Sequence, residues 1–444
     1  MEFEAEIQAT RTDPQALEQL YQVARQQGQR EDFRLALVTL FEQQPQNLLY
    51  AAWYYRLRDD ADDAEERPTP LRNVNWLVAV PLSIVTGLVF WALSDVEELV
   101  VSGSGDTPHL FLWWAPLATL SALVYLALTA RTGLNRNLMV GAGLLAMTGY
   151  TIVATPFLNS DWKTEQILVI AALHLPLLCW FALGFSVLGT QSTPAADFAF
   201  IIKSIEVGII AGLYLAAGMA FGGIMIGMFE ALGIQLPEIW LRMIAAGGFG
   251  LLPVMAVASV YDPAHSPADQ DFEHGLSPLI ATMMRLLIPL TLGVLAVYLL
   301  VIPFYFQAPY DDREVLLVYN LMQFGIIGLL VGATPWRGDQ ITGPMGEWLR
   351  RGILSVAVLA TLVSLYALSA IVYRILEWDM TPNRLVVLGW NVINLGVLGL
   401  LIYRQFTEGR KNWVASLQAV YSLGLQAYLA WSLLVLISFP VIFG

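Results

Sequence analysis

From Asn73 to Gly444 the chain alternates apolar runs of about twenty residues with short polar loops. A helix rises about 1.5 Å per residue, so a run of that length crosses a hydrocarbon core of ~30 Å. Eleven runs are predicted as spans, at 74–94, 110–130, 138–157, 166–188, 204–230, 243–261, 282–305, 315–335, 352–373, 385–403 and 421–443. The fold class read from this pattern is all-α: a polytopic transmembrane helix bundle, with the lipid bilayer as its solvent. Trp76, Trp91, Trp113, Trp114, Trp162, Trp336 and Trp378 fall at predicted run ends, where amphipathic rings settle at headgroup level.

Residues 1–58 depart from the pattern and read as a small cytoplasmic helical module. Asp13 and Pro14 mark a helix start, Leu17, Leu20, Tyr21 and Ala24 follow at helical spacing, and Gly28 is placed to end it. A second helix covers about 31–42, and Pro45 opens a third. Such a unit is either one tetratricopeptide-type hairpin or an amphipathic cap lying on the membrane. As a hairpin it is a candidate docking module for a partner protein. Residues 59–72 form an acidic, proline-containing linker, expected to be disordered or extended. Residues 73–444 form the transmembrane bundle. The MEFEAE start is followed by no apolar core, so a signal peptide is not expected and the first span acts as the insertion signal.

Composition agrees with the pattern and narrows the function. Only 13% of residues are charged against about 25% in soluble domains, too few to dissolve the whole chain. The excess of 36 acidic over 23 basic residues argues against nucleic-acid binding, which needs a basic face. The basic residues are also unevenly placed. Arg56, Arg58, Arg67, Arg72, Arg131, Arg136, Lys203, Arg337, Arg350, Arg351, Arg404, Arg410 and Lys411 lie on one side of the predicted spans, and Lys163, Arg242, Arg313, Arg374 and Arg384 on the other. This asymmetry predicts a plasma (inner) membrane protein with its N-terminus in the cytoplasm. Cys179 is the single cysteine, which excludes a disulfide within one chain.

A polar side chain in hydrocarbon costs free energy unless paired or wet, so each one within a span is a candidate site. Asn391 and Asn394 lie three residues apart in the tenth run, and Asn320 and Gln323 share that spacing in the eighth. Facing each other, the four amides are either interhelical glue, at ~0.6–2 kcal/mol per bond, or the lining of a polar path. Arg285 lies about two turns into the seventh run. It either snorkels to the interface or pairs with Glu206, for which Lys203 competes at i, i−3. Glu230 and Arg242 are a further candidate pair across a short loop. His174 is the one histidine within a span, read as a hydrogen-bonded structural group or a proton relay. Gly208, Gly212, Gly218, Gly222, Gly223 and Gly227 form three GxxxG pairs in the fifth run, and Gly247, Gly248 and Gly250 follow in the sixth. Close helix approach through them predicts that these two helices make the packed centre of the bundle. The acidic loop Tyr261–Gly275 holds Asp262, His265, Asp269, Asp271, Glu273 and His274, a solvated loop whose spacing matches no metal-binding loop. The chain has no GxxxxGK[ST], HExxH or GxSxG motif, so no cofactor is implied and a hydrolase or ATP-driven pump is disfavoured.

Three stretches carry a family resemblance. They are IEVGIIAGLYLAAGMAFGGIMIGMFEALGIQLPEIW with the following GGFGLLPVMAVA, LSPLIATMMRLLIPLTLGVLAVYLLVIPFY, and YRILEWDMTPNRLVVLGWNVINLGVLGLLIY. Across 165–406 the order of these features resembles the bacterial domain-of-unknown-function 4153 family of integral membrane proteins. The resemblance implies a many-helix bundle and assigns no activity or catalytic residue. Thr381, Asn383 and Arg384 match its most specific motif, with Thr381 or Pro382 expected to start the tenth helix. The family typically begins with membrane helices, so the N-terminal module is a departure from it.

Two functions from different classes follow. The bundle is transporter- or channel-like for a small solute, or it is a non-transporting scaffold whose residues 1–58 dock a partner. Transport predicts a cavity reaching mid-depth and helices broken near Pro253, Pro289 or Pro303, whereas the scaffold predicts a solid core and an exposed apolar groove on the N-terminal helices.

Overall fold

A computed structural model describes residues 2–10, 13–26, 30–65, 74–94, 109–130, 133–154, 161–190, 192–338, 340–341, 343–378, 380–408 and 412–443. The chain divides into two compact units, Met1–Asn73 and Val74–Gly444.

The first unit is four helices: α1 (Glu2–Ala9), α2 (Pro14–Gln26), α3 (Arg30–Gln43) and α4 (Leu48–Glu65). Asp13 caps α2, its Oδ1 accepting from the Gln15 and Ala16 amides at 3.0 and 3.1 Å. The third predicted helix starts at Leu48 rather than Pro45, because Asn47 supplies the cap through the Leu49 amide at 3.0 Å. Buried Tyr21, Phe33 and Trp53 stack edge to face in the middle of the unit. The linker differs from expectation: α4 runs on through residues 59–65. Ala61, Ala64 and Glu65 are good helix formers, and no glycine or proline interrupts them before Pro68. The rest of the linker, 66–72, lies outside the described residues.

In the second unit every regular element described is helical. The spans are α5 (Trp76–Leu93), α6 (His109–Thr129), α7 (Leu134–Ala154), α8 (Asp161–Leu188) and α9 (Pro194–Ala231). The short α10 (Glu238–Arg242) then passes through a π turn, Met243–Gly247, into α11 (Gly248–Val260). There follow α12 (Leu276–Val301), the short α13 (Ala308–Asp311), α14 (Arg313–Ala333), α15 (Gly343–Trp378), α16 (Pro382–Thr407) and α17 (Trp413–Phe443). Among the described residues, ten segments are long and apolar enough to cross a membrane. The remaining expected run, 138–157, coincides with α7 and continues into residues 155–157, outside the described ones. The helices continue unbroken past Pro253 and Pro289; the breaks are the π turn and a 3₁₀ turn at Ile302–Phe304, which holds Pro303.

One face of α12 decides what surrounds the bundle. Leu279, Met283, Leu286, Leu290, Val294 and Val297 recur at helical spacing and are 54–70% exposed, while Ile280, Ile288 and Leu295 on the other side are buried. A continuous outward stripe of large apolar side chains is untenable in water and at home in hydrocarbon. The protein is a multi-pass membrane protein.

The glycines correct the expected packing. A Cβ placed on Gly208, Gly212, Gly218, Gly223 or Gly227 would meet nothing within 4 Å, and only Gly222 comes close to a neighbour, Ile244. The second half of α9 is therefore peripheral, not central. Close approach occurs elsewhere: a Cβ on Gly250 would stand 2.8 Å from Phe90, and one on Gly87 would stand 2.8 Å from the Gly247 carbonyl. The small-residue contact thus joins α11 to α5, whose own glycine is isolated in the sequence. The central core instead groups Ile288, Leu330, Ile353, Val356, Leu398 and Leu417, from α12 and α14 to α17. Gly250→Leu is expected to lower the unfolding midpoint in detergent, at an overpacking cost of about 1–3 kcal/mol. Gly212→Leu, with open space, should leave that midpoint within error; a reversed order would refute this packing.

Candidate functional site

The amides form the deepest polar cluster. Gln323 of α14 accepts at Oε1 from Asn391 Nδ2 at 3.4 Å and from Asn394 Nδ2 at 3.2 Å, both on α16. Tyr428 of α17 donates its hydroxyl to Asn394 Oδ1, a partner the sequence reading did not include. Asn320 does not join: its Nδ2 turns back to the Leu316 carbonyl of its own helix at 2.8 Å. Spacing placed each pair on one face, but only one of the two α14 amides points at α16. Gln323, Asn391 and Asn394 are 0% exposed. The arrangement ties three helices together.

His174 is also fully buried. Its Nδ1–H donates to the Ile170 carbonyl at 2.8 Å, and its ring lies against Trp390 with centroids 5.0 Å apart. That bond fixes the tautomer and leaves Nε2 as an acceptor with no partner among the described residues.

The ionic groups sort differently from the first alternatives. Glu206 pairs with Lys203 at 2.8 Å rather than with Arg285, and it accepts the Ser277 hydroxyl from α12. Lys203 also donates to the Asp271 carbonyl and stands 4.7 Å over the Phe272 ring. Arg242 turns from Glu230 to Glu238, 3.8 Å away, and donates to the Trp91 carbonyl, 3.2 Å away, at the end of α5. Thr381 caps α16 as expected, accepting from the Arg384 amide at 3.4 Å. In the 261–275 loop, His265 and His274 bond to Asp262 and Asp271 at 3.1 and 3.2 Å, and Gln270 ties the loop to Asp262 and His265. Asp271 lies below the usual carboxylate range. Burial pushes it up, but the Glu273 and His274 amides and the His274 ring outweigh that. No group of three metal-ligating side chains occurs among the described residues.

Arg285 has no acid. Its Nε donates to the Ala333 carbonyl at 3.1 Å, which closes the C-terminal end of α14, and no ion pair reaches it among the described residues. It lines a cavity of about 310 Å³. Ser277, Ala281 and Arg285 of α12 form one wall, Ile202 and Ile205 of α9 another, and Thr334 and Trp336 a third. Trp336 is sandwiched between Phe272, 4.4 Å away, and Phe198, 6.2 Å away. At the rim Glu273 is half exposed and pairs with Arg337 at 3.9 Å. Beyond Arg285 the core residues Ile288, Leu295 and Leu330 fill the space. Ser277 and Thr334 escaped the sequence reading, and Trp336 was read there only as an interfacial ring, because such residues near run ends are ordinary; only the folded wall singles them out.

No protein-family model, curated protein or solved structure matches the chain.

The amide cluster can be tested as glue. Asn394→Leu strands the Gln323 and Tyr428 polar groups and should cost about 1–3 kcal/mol. The combined Gln323→Leu, Asn391→Leu, Asn394→Leu and Tyr428→Phe protein should recover most of that loss. Equilibrium unfolding in detergent reads both, and a quadruple variant far less stable than the single one would contradict the assignment.

Proposed function

We propose that this protein is transporter-like and handles a small solute, which it takes into the cavity at Arg285 rather than into the amide cluster. The observation that carries the reading is a half-buried cation, with no carboxylate partner among the described residues, lining a cavity in a membrane bundle. Its volume lies at the lower end of ordinary small-molecule sites, and its walls combine aromatic and aliphatic side chains with a few polar groups. The apolar plug of Ile288, Leu295 and Leu330 makes this a state closed toward one side. Passage then requires α12 to move against α14 and α15. The resemblance to the domain-of-unknown-function 4153 family belongs to this proposal, supported by the Thr381–Pro382 helix start. A bacterial inner membrane with the N-terminal unit in the cytoplasm is supported by the loop charges. In that topology the cavity faces the cytoplasm.

The second reading, a scaffold that docks a partner through the N-terminal unit, is supported by the separate aromatic core of that unit. Cysteine accessibility separates the two. In a Cys179→Ala background, Ala281→Cys should react with a membrane-impermeant maleimide from the cytoplasmic side. Leu295→Cys, about 15 Å farther along α12 than Arg285, should react slowly from the other side as the plug parts. Complete protection of Leu295→Cys from both sides would remove transport and leave the scaffold. Complete protection of Ala281→Cys would remove the cavity as a solute site.

A further inference from the structure

Arg285 is one of several arginines that donate to the carbonyls at a neighbouring helix end. Arg242 donates to Trp91 at the end of α5, and Arg350 donates to Gln405 at the end of α16 at 2.8 Å. Those two also have a glutamate within 4 Å, Glu238 at 3.8 Å and Glu347 at 3.9 Å. Arg285 has none among the described residues, and it is the one that lines a cavity. Among the described residues, the charged groups that line the cavity are Arg285 and Glu273, and Glu273 has a partner in Arg337 at 3.9 Å, as Lys203 nearby has in Glu206. A guanidinium carries five N–H donors in a planar fork. Only the Nε–H is engaged, so the Nη1–Nη2 edge keeps the geometry that grips two oxygens of one oxyanion. The opposing walls are Ile202, Ile205, Ala281 and the Trp336 stack, which offer an apolar body a dry surface.

We propose that the cavity at Arg285 binds an amphiphilic oxyanion, a single carboxylate or phosphate-monoester head joined to an apolar body. The inference rests on the reading of this cavity as the solute site and names its ligand class. Ser277 contributes no donor, because its one hydroxyl proton is given to Glu206. Thr334 likewise gives its proton to the Leu330 carbonyl at 2.7 Å. Discrimination for charge therefore falls on Arg285. A lysine there supplies a point charge without the fork.

The test uses the full chain in phosphatidylcholine nanodiscs, with thermal unfolding as the readout. Decanoate and phenyl phosphate should raise the midpoint saturably, and decanol should not. Arg285→Gln should weaken both anions at least tenfold, with Arg285→Lys intermediate. Arg285→Gln also loses the bond to Ala333, so a second variant, Ala281→Trp, keeps the arginine and fills the cavity; it too should lose anion binding. Doping the discs with phosphatidic acid separates two sources of the same chemistry. A raised midpoint that blocks decanoate assigns a lipid headgroup, and no effect of doping alongside decanoate binding assigns a free anion. An equal response to decanol, or full affinity in Arg285→Gln, overturns the anion site. Arg285-dependent binding with Leu295→Cys fully protected keeps the site and removes transport. Leu295→Cys labelling without any anion dependence does the reverse.

Discussion

The carbonyls of a helix's last turn have no partner within the helix, and where packing buries them another donor has to meet that deficit. Arginines from neighbouring helices supply the missing donors at the ends of α5, α14 and α16. Within the helices, the same economy sends hydroxyls back one turn: Thr86 to Leu82, Thr148 to Leu144 and Thr361 to Ala357, each at 2.8 Å. Polar side chains that cannot bond within their own helix meet across helices, as Gln323, Asn391, Asn394 and Tyr428 do. Polar groups here sit where backbone or amide groups call for them.

This constraint also separates structural from functional polarity. The buried amides bond to one another and to Tyr428 across helices, although Gln323 Nε2 and Asn391 Oδ1 find no partner among the described residues, and their removal is felt as stability. Arg285 is unfinished. Its Nε serves α14, and its charge meets no carboxylate among the described residues. An unneutralised guanidinium beside a cavity holds binding energy in reserve for an anion, which a satisfied ion pair such as Lys203–Glu206 does not.

The aromatic wall gives that site its second character. Phe272 comes from the 261–275 loop, Trp336 follows α14, and Phe198 lies in the first turns of α9. Lys203 ties the loop to α9 through the Asp271 carbonyl, so the bonds that hold the acidic loop in place also hold the stack. The site therefore depends on three segments far apart in the chain.

Much of this was legible in the residues themselves. Apolar run length reported the spans, since hydrocarbon thickness acts on each helix separately. Local spacing reported the Lys203–Glu206 pair and the Thr381 cap, which involve neighbours within one turn. Adjacency between helices was not legible. GxxxG spacing on α9 records that a close approach is sterically open there, yet the approach occurs between Gly87 and Gly250, where the sequence shows no such repeat. Asn320 and Gln323 have equal claims by spacing, and only the position of α16 separates them. The role of Arg285 depends on where α14 ends beside it. Periodicity fixes which residues share a face, whereas the partner of that face is set by how all the helices pack at once.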